Sequence, residues 1–439
     1  MVKKILLLIV FSLFTISTFA AGETSKLDTG DTAWMLIATA LVMLMTPAGL
    51  ALFYGGLSRN KFVLNTVGMS YVSFCAASII WVIIGYSLAF GQNNLLIGSI
   101  KHWFLENIKI TDLQGTIPML LFVVFQGTFA AIAVAIVSGS VVERVKFSTW
   151  VVFSFLWVLL VYAPIAHWVW GGGFLSQNGE LDFAGGTVIH INAGVAGLIL
   201  ALILGKRKGI SQSDQPTSVK LTVLGSALLW FGWFGFNAGS ALGANFVAAN
   251  ALLVTNVAAS MGGLAWIIME RAFNRRPTLL GVASGAISGL VGITPACGYV
   301  NVSAALVIGL VSGWIGYFGV FKLKKLLKYD DTLDAFGIHG LVGIWGAIAT
   351  GIFANPAINT GVGLVYGNPK QVWVQLVAVL VTIAYSAIAT AAVFYLCSFI
   401  TKGARVAEHI EMQGIDEAYH GEKGFSFQYE EYHETAEAE

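Results

Sequence analysis

Charge is what this sequence has least of. Of its 439 residues only 11% are Asp, Glu, Lys or Arg, against about 25% in an ordinary soluble domain. So little charge cannot solvate the surface of a globule of this length, which excludes a soluble fold. The formal net charge of +1 leaves no electrostatic footprint for nucleic acid. Cysteine is scarce too. Cys75, Cys297 and Cys397 fall in or beside apolar runs, without the paired spacing of a metal site or the density of a disulfide framework. Neither an enzyme nor a bound cofactor is expected.

What is present is apolar: 57% of the chain. The first 21 residues stand apart. Lys3 and Lys4 precede the run "ILLLIVFSLF", and Thr18-Phe19-Ala20 offers a small-residue cleavage site. This pattern predicts a signal peptide over 1–21 and a bacterial envelope protein whose mature N-terminus lies outside. Eleven apolar segments follow, each long enough to cross a bilayer. They span 32–57, 62–89, 116–140, 148–169, 187–205, 219–240, 251–270, 279–296, 300–321, 335–354 and 371–400. The expectation is an all-α polytopic membrane protein of eleven transmembrane helices over 31–402, with a cytoplasmic tail at 403–439.

Lys and Arg orient it. With the N-terminus outside, eighteen of the 24 fall in inner loops and tail, four in outer segments, and two (Lys3, Lys4) in the leading segment. The positive-inside rule then sets the C-terminus inside, as an odd number of spans requires. Glycines repeat at small spacings, as in Gly281, Gly285 and Gly289. They are read as close-packing sites between helices.

Spans one to five and six to ten form two groups of five. An odd number per group makes the second group cross with opposite polarity, an inverted 5+5 repeat plus a final helix, with a functional site between the halves. His190 lies in span five ("DFAGGTVIHINAG") and His339 in span ten ("DAFGIHGLVGIWG"). They are the last spans of their halves. Away from the span ends there is no Asp, Glu, Lys or Arg, so these two histidines carry the interior's titratable chemistry apart from Tyr and Cys. An intramembrane ionisable group is by default a functional candidate. The competing reading is a polar pair that glues two helices.

Several stretches carry a family likeness: "DFAGG" with His190 eight residues after Asp182, "PIAHWVWGGG" at 164–173, "FQGTFA" at 125–130, "GWFGFNAGS" at 232–240, "GLVGITPACGY" at 289–299, "DDTLDAFGIHG" at 330–340 and the tail text "MQGIDEAYHGEKGF". In order and over about 31–427, they resemble the ammonium transporter family. The resemblance implies a homotrimer in the bacterial inner membrane with one conduction path per subunit. It implies that Phe125, Phe129, Trp170 and Ser240 line an outer ammonium recruitment site. Phe129 and Phe236 would stack as a gate beneath it, and His190 and His339 would be the paired histidines of an apolar ammonia pore. Asp182 would be the buried acid that orders the vestibule; capping span five is the plain structural role for it. A PII-type regulatory protein on the cytoplasmic face is also implied. Two rivals are an ammonium sensor, and a bis-histidine haem protein with His190 and His339 as axial ligands.

Overall fold

In the computed structural model of the protein, residues 26–91, 94–210, 215–273 and 276–424 are described. The expected signal peptide and residues 425–439 lie outside them. The apolar segments form eleven helices: α1 (Thr29–Leu57), α2 (Asn60–Phe90), α3 (Met119–Ser138), α4 (Phe147–Gln177), α5 (Gly186–Leu204), α6 (Val219–Gly239), α7 (Phe246–Ala272), α8 (Leu279–Ile293), α9 (Val302–Leu327), α10 (Phe336–Phe353) and α11 (Lys370–Ile400). Ten are long and apolar enough to span a bilayer. The fifteen-residue α8 is shorter, and the chain continues from it in turns through 294–299. The expected limits differ from these by a few residues at most ends.

Helix starts follow local chemistry. Asp28, Ser218, Asn245, Thr278 and Asn301 each accept a hydrogen bond from a backbone N–H of the first turn that follows. Such a cap satisfies a donor with no helical partner. Two helices widen into π turns at prolines. Pro47 lies inside the turn Met45–Leu50, and Pro164 follows the turn Val158–Tyr162. Proline offers no N–H and its ring clashes with the carbonyl four residues back, so the helix relaxes by one residue rather than breaking. The only strands among the described residues are β1 (Leu113–Gln114) and β2 (Ile117–Pro118), an antiparallel hairpin pairing Leu113 with Pro118 and Gln114 with Ile117.

Small residues let the helices touch. A methyl group at Gly289 or at Gly309 would run into the backbone of Ala258, so α8 and α9 both press directly on α7. This is the close packing expected from the glycine spacing.

Charge gathers where the loops meet the tail. Glu143 accepts from Arg59 Nε at 2.9 Å and from Arg207 Nη1 at 2.8 Å. Arg207 also pairs with Asp330 at 2.9 Å, and Arg144 donates to the Asp330 carbonyl and to Thr332 Oγ1, both at 2.6 Å. The tail joins in. Arg405 holds Glu411 at 2.8 Å and donates to the Leu204 carbonyl. Asp416 accepts the N–H groups of Leu64 and Asn65, where α2 begins. The loops after α1, α3, α5 and α9 therefore share one face with residues 403–424, called here the tail face.

Burial would raise the Asp330 carboxyl, but hydrogen bonds and charge from Arg207, with Arg144 adding, outweigh it and hold its pKa at about 2. A depressed carboxylate stabilises the fold above its unfolded pKa of about 3.9, and that stabilisation is lost as pH falls through about 2. Asp330→Asn is therefore expected to lower stability at pH 7 by on the order of 2 kcal/mol. Thermal unfolding in detergent should show the gap to the parent protein closing as pH falls from about 4 to about 2. A gap that persists below that window would separate the effect from the carboxylate's charge.

Candidate functional site

The two histidine helices begin alike. Residues Gly186–Ile191 and Phe336–Leu341 are both π turns at the entry to α5 and α10, and each carries its histidine. Both turns are tied to an acid eight residues before the histidine. Asp182 accepts from the N–H groups of Gly185, Gly186, Thr187 and Val188 at 2.7–3.2 Å. Asp331 accepts from Phe336 N at 2.8 Å. Two turns built the same way, one near the tail face and one at the far end, fit the inverted relation between the halves.

The helices then cross at contact. A methyl group at Gly194 would overlap the backbone of Gly340. One turn away, His190 Nδ1 and His339 Nδ1 face each other at 3.2 Å, with ring centroids 5.2 Å apart and planes at 24°. The two rings are 1% and 5% exposed. Neutral imidazoles at this separation share one N–H, so one ring donates from Nδ1 and the other accepts there. His190 stacks on Trp233 and Phe236 at 5.5 and 6.1 Å, and its Nε2 has no hydrogen-bond partner. The space beside the rings is walled by Phe53, Ile132, Ile136, Leu229, Trp233 and Phe236 among others. It offers only about 10 Å³ to the centre of a water-sized molecule, which is room for about one such molecule. No charged side chain lines it. A haem macrocycle does not fit between or beside these rings.

Phe236 closes the lane at its other end. Its ring lies 4.5 Å from that of Phe129, and both are buried. On the far side of Phe129 a vestibule of about 770 Å³ opens, lined by Phe129, Trp170 and Ser240 together with Phe122, Phe183 and Gln126. Trp170 is fixed by donating from Nε1 to the Asp182 carbonyl at 2.8 Å. Ser240 donates to the Phe236 carbonyl, which leaves its oxygen lone pairs as acceptors. Asp182 thus holds Trp170 through its carbonyl and α5 through its carboxylate. It is 6% exposed and does not line the vestibule. Burial pushes its carboxyl upward against the pull of the four N–H donors.

Six of the eight residues singled out from the sequence line this vestibule or the lane below it, and Asp182 supports both from behind. Phe125 stands one step back. It is fully buried, packs edge-on against Phe129 at 4.8 Å, and does not line the vestibule. Its position one helical turn before Phe129 makes it the backing of that ring. Among the lining residues that were missed are the polar ones Gln126, Lys101 and His102. Gln126 had a signal, as the only amide in the apolar run of α3; its Oε1 is buried and without a partner. Lys101 and His102 had none, because a loop brings them to the rim. Burial, reinforced by the Lys101 charge, lowers the His102 pKa. His167, in the motif at 164–173, is buried with both ring nitrogens against the carbonyls of Ala89 and Asn94. It is scaffold.

Comparison with known proteins agrees with this arrangement. Residues 33–425 match the Ammonium Transporter Family. The chain is 50% identical to an ammonium transporter of Aquifex aeolicus, covering 95% of this chain and 98% of that one. It is 48% identical to an ammonium transporter of Bacillus subtilis, over 90% and 98%. Among solved structures, Mep2 of Saccharomyces cerevisiae superposes with a TM-score of 0.81 at 37% identity, covering 88% and 89%. A structure described as a sensor Amt protein superposes with a TM-score of 0.82 at 28% identity, covering 89% and 98%. With both its sequence and its helix arrangement matched over nearly their whole length, the chain belongs to the ammonium transporter family.

Proposed function

We propose that the protein carries ammonium across the bacterial inner membrane, receiving it as the ion and passing it as ammonia. The observation that carries this reading is the pair of facing histidines in a lane without charge, beneath an aromatic vestibule. In the vestibule, the faces of Trp170 and Phe129 attract a small cation, and Ser240 offers an acceptor oxygen. Below Phe129 and Phe236 the cation has nothing to replace its solvation. A charge at the bilayer centre costs from about 2.5 to more than 10 kcal/mol, depending on the reference state. Ammonium escapes that cost by leaving its proton. Ammonia then meets one donor and one acceptor edge at His190 and His339. The proton crosses separately along the shared hydrogen bond of the two rings, so transport carries current.

The excess of Lys and Arg on the tail face orients that face to the cytoplasm and the vestibule to the outside. The family likeness supports a homotrimer with one lane per subunit, and a PII-type protein docking on the tail face. A second reading, an ammonium sensor, is favoured by the likeness to the sensor Amt structure.

The test is a current recording on reconstituted protein. An ammonium gradient should evoke current, and a potassium gradient of equal size should not. His190→Ala is expected to cut the ammonium current at least about tenfold or to admit potassium, since it removes a partner of the lane's only polar pair. Potassium passing the parent protein as readily as ammonium would overturn the deprotonation scheme. Ammonium-dependent signalling without any measurable flux would leave the sensor reading in its place.

A further inference from the structure

Asp31 sits half-buried in the first turn of α1 and does not line the vestibule. Its Oδ2 accepts from Thr116 Oγ1 at 2.5 Å, and its Oδ1 accepts from the Ala244 N–H at 2.7 Å. Those partners belong to two loops that wall the vestibule. Thr116 lies in the turn of the β1–β2 hairpin, between the lining residues Gln114 and Met119. Ala244 follows the lining residues Ser240 and Leu242. We propose that Asp31 is a positioning residue for the vestibule: its carboxylate clamps both loops to the end of α1 and so sets where Ser240 stands for an arriving cation.

Three observations carry this inference. The first is that α1 is a fixed post. A methyl group at Gly235 would run into the Ala38 carbonyl, and one at Gly232 into the Leu41 carbonyl. At Gly239 it would meet both Ala38 and the ring of Phe125, so α1, α3 and α6 touch one another at the end of α6. The second is the loop after α6. Leu242 has φ +54°, a region that a residue with a Cβ seldom adopts and that persists only where neighbours impose it. The Ala244 bond ties this turn down two residues later. Gly243, between them, has no room for a methyl against the same carboxylate. The third is the hairpin, whose turn is held twice. The Asp28 N–H donates to the Thr116 carbonyl at 2.9 Å, and the Asp28 carboxylate in turn accepts the Asp31 N–H at 2.8 Å. The gate and lane residues stand on α3, α5, α6 and α10, not on these loops, so the clamp acts on capture rather than on passage. A carboxylate near the mouth also attracts cations, and asparagine separates the two roles. Its amide oxygen can serve Ala244, and its NH2 can donate to Thr116, whose hydroxyl also accepts.

The effect on current rests on the transport reading, so the clamp is also measured without transport. Hydrogen exchange of the full chain in detergent reads it directly. In Asp31→Ala the amides of Ala244 and Asp28 should exchange at least about tenfold faster than in the parent protein, and in Asp31→Asn at close to the parent rate. Ammonium current in liposomes reads the consequence. Asp31→Ala should lower the initial slope of current against ammonium concentration about fivefold, as expected for one misplaced hydrogen-bond acceptor. The plateau, which the lane sets, should stay. Asp31→Asn should restore the slope. Thr116→Val releases the hairpin arm alone and should lower the slope about twofold; it stands in if the alanine variant does not fold. Parent-like exchange at Ala244 in Asp31→Ala would overturn the clamp. An unchanged slope where exchange has risen would overturn it too, as would a plateau that falls as far as the slope. A slope in Asp31→Asn as low as in Asp31→Ala would assign the residue to attraction instead. A parent protein without any ammonium current would remove the transport reading, and exchange alone would then decide the clamp.

Discussion

Asp182→Ala is expected to destroy the folded protein rather than only its transport. Four backbone N–H groups at the start of α5 end on this one carboxylate. A buried donor left without an acceptor costs about 1–3 kcal/mol. Their loss is shared among neighbours and does not add fully, so a destabilisation of about 3–5 kcal/mol is expected. The Asp182 carbonyl also holds Trp170, so the vestibule loosens with the helix start. Asp182→Asn is the informative comparison. Its amide oxygen can still serve Gly185 and Gly186, while its NH2 faces the donors of Thr187 and Val188. It should fold better than the alanine variant and still transport poorly. Melting in detergent and flux in liposomes separate the two losses. An alanine variant with the parent's melting temperature and flux would remove Asp182 from both roles.

Gly194→Ala should have the next largest effect. The new methyl would collide with backbone atoms of Gly340, which cannot swing aside. α5 and α10 must therefore part at the crossing, at a cost of about 1–3 kcal/mol for overpacking. His190 lies one turn before Gly194 and His339 is next to Gly340, so parting the helices opens the 3.2 Å contact between the rings. Flux should fall well below that of the parent even in the fraction that folds. Gly263→Ala is the matched control, because a methyl there meets nothing closer than 3.4 Å. It should leave stability and flux unchanged. Equal effects from both alanines would show that the crossing has slack.

The sequence made the helices legible because the bilayer imposes its thickness on them. An apolar run of about 20 residues has few alternatives to a spanning helix. The histidine pair was legible for a second reason, the matched places of His190 and His339 in two groups of five spans. Asp182 was legible as a cap, since acids favour helix starts. Its counterpart Asp331 was harder to single out, because "DDTLD" offers three acids and only the fold shows which one reaches Phe336. The π turns at 186–191 and 336–341 left no local signal either, since neither contains proline. Phe125 and Phe129 look equivalent in the text, and one helical turn decides that one lines the vestibule and the other backs it. Lys101 and His102 reach the vestibule through a loop whose path depends on distant contacts, such as the bond from His102 N to Ser87. The folding of the tail onto its own chain rests on pairs more than 200 residues apart, such as Arg405 with Leu204, which no local pattern encodes.

The narrowness of the lane has a kinetic corollary. A path with room for about one small molecule at a time behaves as a queue of length one. Its throughput must level off once the wait for a vacancy, rather than arrival at the mouth, sets the pace. Saturation of this kind is ordinarily taken as the mark of a carrier that rocks between two open states. In the proposed scheme it would arise without any such rocking, so a half-saturating concentration measured for this protein would report residence time in the lane as much as affinity at the vestibule. For the same reason a continuous file of water does not fit beside the histidines, so in the proposed scheme a proton crosses only by the hydrogen bond the two rings share.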